Sequence, residues 1–318
     1  GSTEVVFTAT DAAGNAVTCT TVVDVLWTAW GFAVYAAQHN GVQLDMNSVV
    51  TGDVVSVDAL NMHKNALVEG AAYAGDGAHL LGGTDITGGL YADAELVNND
   101  GDAVLNGPVP ADVPTPPTWD DTSYQAQLAE AALEPSGNVS TDSFALAGGT
   151  LLVEGNFTLT AGGTLTGPGT IVATGKISIA KDSTVGDGIT LVAGGMLQIS
   201  KDCVVGGDNL FFAGGNLEVD KDTTLNGATL LANGHIELHA DVTTTGLVFA
   251  VGEVQVGDRS VVTGTVISLD QVHIHKDAVV THDCGSFDLP EGLAPGLPCE
   301  GGFGTCSEPD AGDKSDKS

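Results

Sequence analysis

Residues 170–205 read TIVATGKISIAKDSTVGDGITLVAGGMLQISKDCVV. Within them GKISIAKD at 175–182 returns as GMLQISKD at 195–202. Working outward from Thr150 to Asp283, Gly155, Gly175, Gly195, Gly215, Gly234, Gly252 and Asp270 mark seven copies, spaced 20, 20, 20, 19, 18 and 18 residues apart. Each marker is followed by one residue and then by apolar, polar, apolar. A short period sustained over this many copies specifies a solenoid, in which every repeat is one turn stacked on the next.

Positions are counted from the marker. Positions +2 and +4 are apolar in every copy: Phe157/Leu159, Ile177/Ile179, Leu197/Ile199, Leu217/Val219, Ile236/Leu238, Val254/Val256 and Val272/Ile274. Strand alternation turns this set inward. Position +10 adds Leu165, Val185, Val205, Leu225, Thr244, Val262 and Val280, and +12 is mostly glycine, as a tight corner requires. A third apolar segment precedes each marker. The expected fold is all-β: a three-sided parallel β-helix with turns about 4.8 Å apart, one short linker helix and an N-terminal β-hairpin.

The third segment is doubly apolar: Leu151/Leu152, Ile171/Val172, Leu191/Val192, Phe211/Phe212, Leu230/Leu231, Val248/Phe249 and Val266/Ile267. One member of each pair faces out. Taking the second, Leu152, Val172, Val192, Phe212, Leu231, Phe249 and Ile267 form an outward ladder. An apolar stripe of that size is rare on a monomer surface and needs a cover. A helix over 122–133, with Tyr124, Leu128, Ala131 and Ala132 on one face, would be about 18 Å long, against about 29 Å for seven turns. Cover from within the chain and contact with another subunit both remain open.

Five segments follow. Residues 1–25 hold two alternating strands around an Asp11–Asn15 turn. Residues 26–107 read as shorter rungs, with GVQLDMNSVVTG and ALNMHKNALVEG aligning with each other. Residues 108–143 are a linker, extended by Pro108, Pro110, Pro114, Pro116 and Pro117, with the helix started by Asp120 or Asp121 and ended by Pro135. Residues 144–283 are the main solenoid, and 284–318 form an acidic tail with cysteines. The chain opens at Gly1-Ser2 without a signal peptide or initiator Met, which suggests removal of a signal or excision from something longer.

Formal charge is −32, from 41 acidic and 9 basic residues. Such a surface repels nucleic acid and anionic lipid, so neither is an expected partner. No apolar run is long enough to insert in a membrane. Cys19, Cys203, Cys284, Cys299 and Cys306 favour disulfides in an oxidising, extracellular setting, with Cys19 the odd cysteine available between chains.

Candidate sites are weak. Position +7 is aspartate in Asp182, Asp202, Asp222, Asp241 and Asp277. A solvated turn explains it, and a Ca2+ row is the sharper alternative, although the carbonyl-supplying glycine pattern is missing. Asn98, Asn99, Asp100 and Asp102 are a similar candidate, and no cofactor is required. Of His235, His239, His273, His275 and His282, only His273 and His275 share a face closely enough to chelate, with help from His282. Asn138-Val-Ser140 is a lone sequon. Catalysis finds no paired acids in a groove, so the chain reads as no enzyme. Ice binding needs a flat threonine column, and +3 runs Thr158, Ser178, Gln198, Glu218, Glu237, Gln255, His273, which is not one.

Two resemblances add to this. Phe7, Thr8, Ala9, Thr10, Asp11, Gly14, Asn15 and Cys19 resemble the last hairpin of an HYR immunoglobulin-like module. The rung pattern, its final GTVISLDQVHIHKDAVVTHD and the proline linker resemble bactofilin-like and PilX-type pilin-associated bacterial surface solenoids over about residues 30–285. That likeness implies a structural role with self-association. The resulting expectation is a secreted, cell-surface subunit of a head-to-tail filament or surface layer, joined through the N-terminal strands, the solenoid ends and the apolar ladder. A surface adhesin or glycan-binding stalk is the runner-up.

Overall fold

The computed structural model describes residues 31–38, 41–100, 103–110, 116–134, 137–283 and 293, and the backbone alone of 2–10, 16–24 and 99. The +2 and +4 side chains turn inward and are buried in every turn from Phe157/Leu159 to Val272/Ile274. Each first strand pairs in parallel with the next, placing Ile177 on Leu197, then Leu217, Ile236, Val254 and Val272. The fold is the three-sided β-solenoid that the repeat predicts, with, among the described residues, one α-helix, Thr122–Ala131, two residues shorter than expected. Where the period shortens, the Asp187-Gly188 corner has no counterpart, and the second and third strands fuse into Thr243–Ala250 and Val261–Ser268.

The stack does not follow the order of the chain. Val272–Ile274 pairs with Val42–Leu44, Val261–Ser268 with Val34–Ala36, and Val279–Thr281 with Val49–Thr51. The rungs of residues 31–107 therefore continue the sheets beyond the last rung of the main set. The two sets, separate in sequence, form one stack. The chain then returns along one side through the helix and restarts at Val139–Ala145, which pairs with Phe157–Thr166 at the opposite end.

Corners are set by backbone conformation. Position +7 is left-handed in Gly162, Asp182, Asp202, Asp222, Asp241, Arg259 and Asp277, and in Asn47, Asn65 and Gly83 of the N-terminal rungs. Asp and Asn tolerate this region because their short polar side chains bond locally. At the later corner Gly264 has φ +143, and a Cβ there would stand 1.9 Å from the Gly246 carbonyl oxygen of the neighbouring rung. Only glycine permits that approach.

The outward ladder is covered from within the chain. Leu152, Val172, Val192, Phe212, Leu231, Phe249 and Ile267 belong to a second apolar core with Tyr124, Leu128 and Ala131 of the helix, Trp119, Leu293 and Phe32. Tyr124 stacks on Phe212 at 4.3 Å, and Trp119 spans Phe212 and Phe249 at 6.2 and 5.2 Å. Trp119 Nε1 donates to Asn233 Oδ1, and Asn233 Nδ2 donates to Asp121 Oδ2, each at 2.7 Å. These bonds pin the start of the helix to the solenoid. Asp120, rather than Asp121, accepts the Thr122 backbone N–H. The ladder continues through Tyr35, Val55, Tyr73 and Tyr91 in the N-terminal rungs, with Phe32 against Tyr35 and Tyr73. The ladder is thus an internal seam and offers no face for assembly, which corrects the expected subunit contact.

Ser2–Thr10 and Ala16–Asp24 form the expected antiparallel hairpin, with Phe7 opposite Cys19. Its turn, the Cys19 side chain, Asp102, Pro114, Pro135, Cys284, Cys299, Cys306 and the tail lie outside the described residues. Cys203 is buried and free, so the described part of the chain supplies no disulfide. Its Sγ lies 3.2 Å from the Ala180 carbonyl, in a column where Ser183, Thr223 and Ser260 bond equivalent carbonyls. Burial pushes its thiol up to about 11, which keeps it protonated and inert.

Two substitutions test this packing. Phe212→Ala is expected to cost about 3–5 kcal/mol in urea unfolding, because it empties the stack under Trp119 and Tyr124. Thr244 is fully buried and its hydroxyl has no partner, whereas Val185, Val205 and Val262 occupy equivalent places. Thr244→Val is expected to raise stability by about 1–2 kcal/mol in the same measurement.

Candidate functional site

The three sides of the solenoid differ in chemistry. The apolar side is closed by the helix. The polar side carries the +3 residues, many of them titratable or strongly hydrogen-bonding. Lys176 Nζ donates to Gln198 Oε1 at 2.7 Å, and Gln198 Nε2 to Glu218 Oε2 at 3.4 Å. His239 lies 3.5 Å from Glu237 and 3.7 Å from Asp220. Two shallow depressions of about 340 and 250 Å3 adjoin His239.

The remaining side is built by the second strands. Strand alternation buries Val185, Val205, Leu225, Val262, Val280 and Val50, and so turns their neighbours outward. One outward column runs Thr164, Thr184, Val204, Thr224, Thr243, Val261, Val279, Val49, Leu67, Asp85 in unbroken register. Beside it stand Thr245, Thr263, Thr281, Thr51 and Glu69, paired one above the next. Thr166, Gly186, Gly206 and Asn226 occupy the corresponding place toward the other end, and Thr87 follows Glu69. Backbone pairing fixes the rung spacing at about 4.8 Å and the spacing between columns at about 6.6 Å. Only Glu69 and Asp85, at one end, bring charge to these columns. Val204 is 50% exposed. Thr51 donates to Glu69 Oε2 at 3.0 Å, while the exposed Thr164, Thr184 and Thr243 present their hydroxyls to solvent.

This side was missed because a threonine column was sought at +3, on the polar side. The signal lay at +9 and +11 of the same repeats, in TTTG, VVTG, VVTH and the earlier VVTG. The +3 column itself is as mixed in space as in sequence.

The aspartates of position +7 line the corner between the polar and threonine sides. Asp241 accepts a two-pronged contact from Arg259, at 2.8 and 2.6 Å, which holds its carboxyl below the usual carboxylate range. Asp277 accepts from Asn47 at 2.8 Å, and Asn47 from Asn65 at 3.1 Å. Lys181, Lys201 and Lys276 each sit within 4 Å of the following aspartate. Among the described residues, no three of Asp182, Asp202, Asp222, Asp241 and Asp277 converge on a common point. The clusters that do converge are Asp45/His273/His275 and Glu218/His235/Glu237.

His282 does not join His273 and His275. It faces Thr265 Oγ1 at 3.3 Å, and its backbone N–H bonds the Thr51 carbonyl across the junction of the two sets of rungs. Burial is the largest influence on its imidazole and lowers its pKa from the ordinary value of 6.5; the Gly264 backbone and the nearby Asp283 and Asp53 oppose this.

No family model matches the chain, and no curated protein matches it. Several solved structures are similar, three of them as follows. The DUF3494 domain of a Shewanella frigidimarina ice-binding protein has 17% identity and a TM-score of 0.33, covering 80% of this chain and 95% of that one. An ice-binding protein from the Antarctic ascomycete Antarctomyces psychrotrophicus has 14% identity and a TM-score of 0.27, covering 80% and 96%. The ice-binding protein of an Arctic yeast has 13% identity and a TM-score of 0.28, covering 86% and 96%. None of the three is a bactofilin, a pilin-associated solenoid or an HYR module.

The His282 shift carries a sign. Its folded pKa lies below the unfolded value, so the unfolded chain takes up a proton first as pH falls. The contribution of His282 is complete above pH 6.5 and declines below it. The urea midpoint is expected to fall between pH 7.5 and 5.5, and to fall less in His282→Gln.

Proposed function

We propose that the chain is a binding protein whose threonine side docks on an extended, uncharged, repetitive surface, and that ice is the surface this side fits. One observation carries the reading. Of three sides, one is closed by the helix, one carries charge along its length, and only the threonine side is open and nearly uncharged on a chain of net charge −32. Methyl groups that cannot hydrogen-bond restrict the orientation of adjacent water. Threonine hydroxyls then hold that water at intervals set by the backbone. A rigid two-column lattice needs little ordering on binding, so little is lost to side-chain entropy. The side has no aromatic platform for a sugar ring. The reading is non-enzymatic and places the chain outside the cell, where ice forms.

The test is ice recrystallisation inhibition by the purified chain. Inhibition is expected, with most of it lost in the Thr245→Tyr/Thr263→Tyr double variant and retained in Ser178→Tyr on the polar side. An inactive parent chain, or equal loss in both variants, refutes the assignment.

End-to-end association is a second reading, favoured by one feature. Leu96, Val104 and Leu105 at the last N-terminal rung are 53%, 66% and 38% exposed. A monomer at high concentration in sedimentation would remove it.

A further inference from the structure

We propose that Asp45, His273 and His275, with His63 beside them, form a binding site for a divalent transition ion of the zinc type, placed across the junction between the two sets of rungs. The residues meet because the stack is discontinuous. His273 and His275 lie on the last rung of the C-terminal set, whose strand Val272–Ile274 pairs with Val42–Leu44. Asp45 follows that partner strand, and His63 holds the equivalent place one rung further on. Donors 228 residues apart in sequence are thereby brought into contact.

The geometry suits a small ion. One donor atom from each of Asp45, His273 and His275 lies within 4.8 Å of the others. His273 Nε2 is 3.0 Å and His275 Nδ1 3.7 Å from the same oxygen, Asp45 Oδ2. Tetrahedral coordination with bonds of about 2.0–2.1 Å places neighbouring ligand atoms about 3.4 Å apart, between those two distances. His63 Nδ1 lies 3.3 Å from Asp45 Oδ1, near enough to supply a fourth ligand or to orient the carboxylate. The two imidazoles are already stacked at 3.9 Å. Gln43 Nε2 donates to Asp45 Oδ1 at 3.0 Å, which orients the carboxylate.

An ion reaches the cluster from the side of Gly257, the rung neighbour of His275 without a side chain, through the 250 Å3 depression that both residues line. Imidazole with one carboxylate selects zinc-like ions over Ca2+, which takes six to eight oxygens.

The experiment is calorimetric titration of the full chain with Zn2+ at pH 7.5, alongside thermal unfolding. The expected result is one ion per chain, undiminished by excess Ca2+. Saturating Zn2+ should raise the melting midpoint by a few degrees, because it ties the two sets together in the folded state only. His273→Gln/His275→Gln should lose both effects while keeping the parent far-UV circular dichroism. Asp45→Asn, isosteric with the parent, should bind at least about tenfold more weakly. No binding by the parent chain overturns the proposal. Undiminished binding by the double variant also overturns it, and assigns the ion elsewhere, such as Glu218/His235/Glu237.

Discussion

Parallel backbone pairing between successive rungs is the constraint on which the structure depends. It requires each rung to place its residues directly above those of the last, so one side-chain choice repeated at one position becomes a column. Columns of leucine, isoleucine and valine fill the interior, and columns of left-handed Asp and Asn turn a corner. The outward columns are free to differ, and they give the three sides their separate chemistries. The same constraint sets the spacing of threonines on one side and brings histidines and an aspartate together on another.

Pairing also demands that exposed strand edges be dealt with. The chain does this at the last C-terminal rung by laying Val34–Ala36, Val42–Leu44 and Val49–Thr51 against it. The linker must then travel the length of the stack to begin the main set at the other end. It is this return path that carries Trp119 and the helix over the apolar ladder. One topological choice therefore buries the stripe that would otherwise seek another molecule.

Much of this was legible from the repeat. The marker period, the inward +2 and +4 residues, the linker helix and the outward ladder from Leu152 to Ile267 all follow from alternation and spacing. The permuted stacking was not legible, because Val42–Leu44 resembles any other first strand and nothing local records which edge it meets. The Asp45/His273/His275 cluster was hidden for the same reason: Asp45 became a neighbour of His275 only once the two sets were joined. The threonine side is faint in the repeat because its threonines at +9 and +11 alternate with valine and glycine from copy to copy. Cys203 resembles a disulfide half when counted with the other cysteines, yet its column companions Ser183 and Thr223 show that it serves as a small buried donor.

The permutation has a consequence for how the chain acquires its shape. Residues 31–107 leave the ribosome well before the edge they complete, Val261–Thr281. Throughout synthesis the early rungs wait without the neighbour that seats them. Closure at Val34–Ala36 is a long-range event, and forming it late makes the search slow. Elongation of the main set proceeds one rung at a time, like a ratchet, whereas this final step works as a latch. Loss of the segment Val261–Thr281 therefore deprives the rungs of residues 31–107 of their neighbour, while the rungs at the opposite end, from Val139–Ala145 onward, keep theirs.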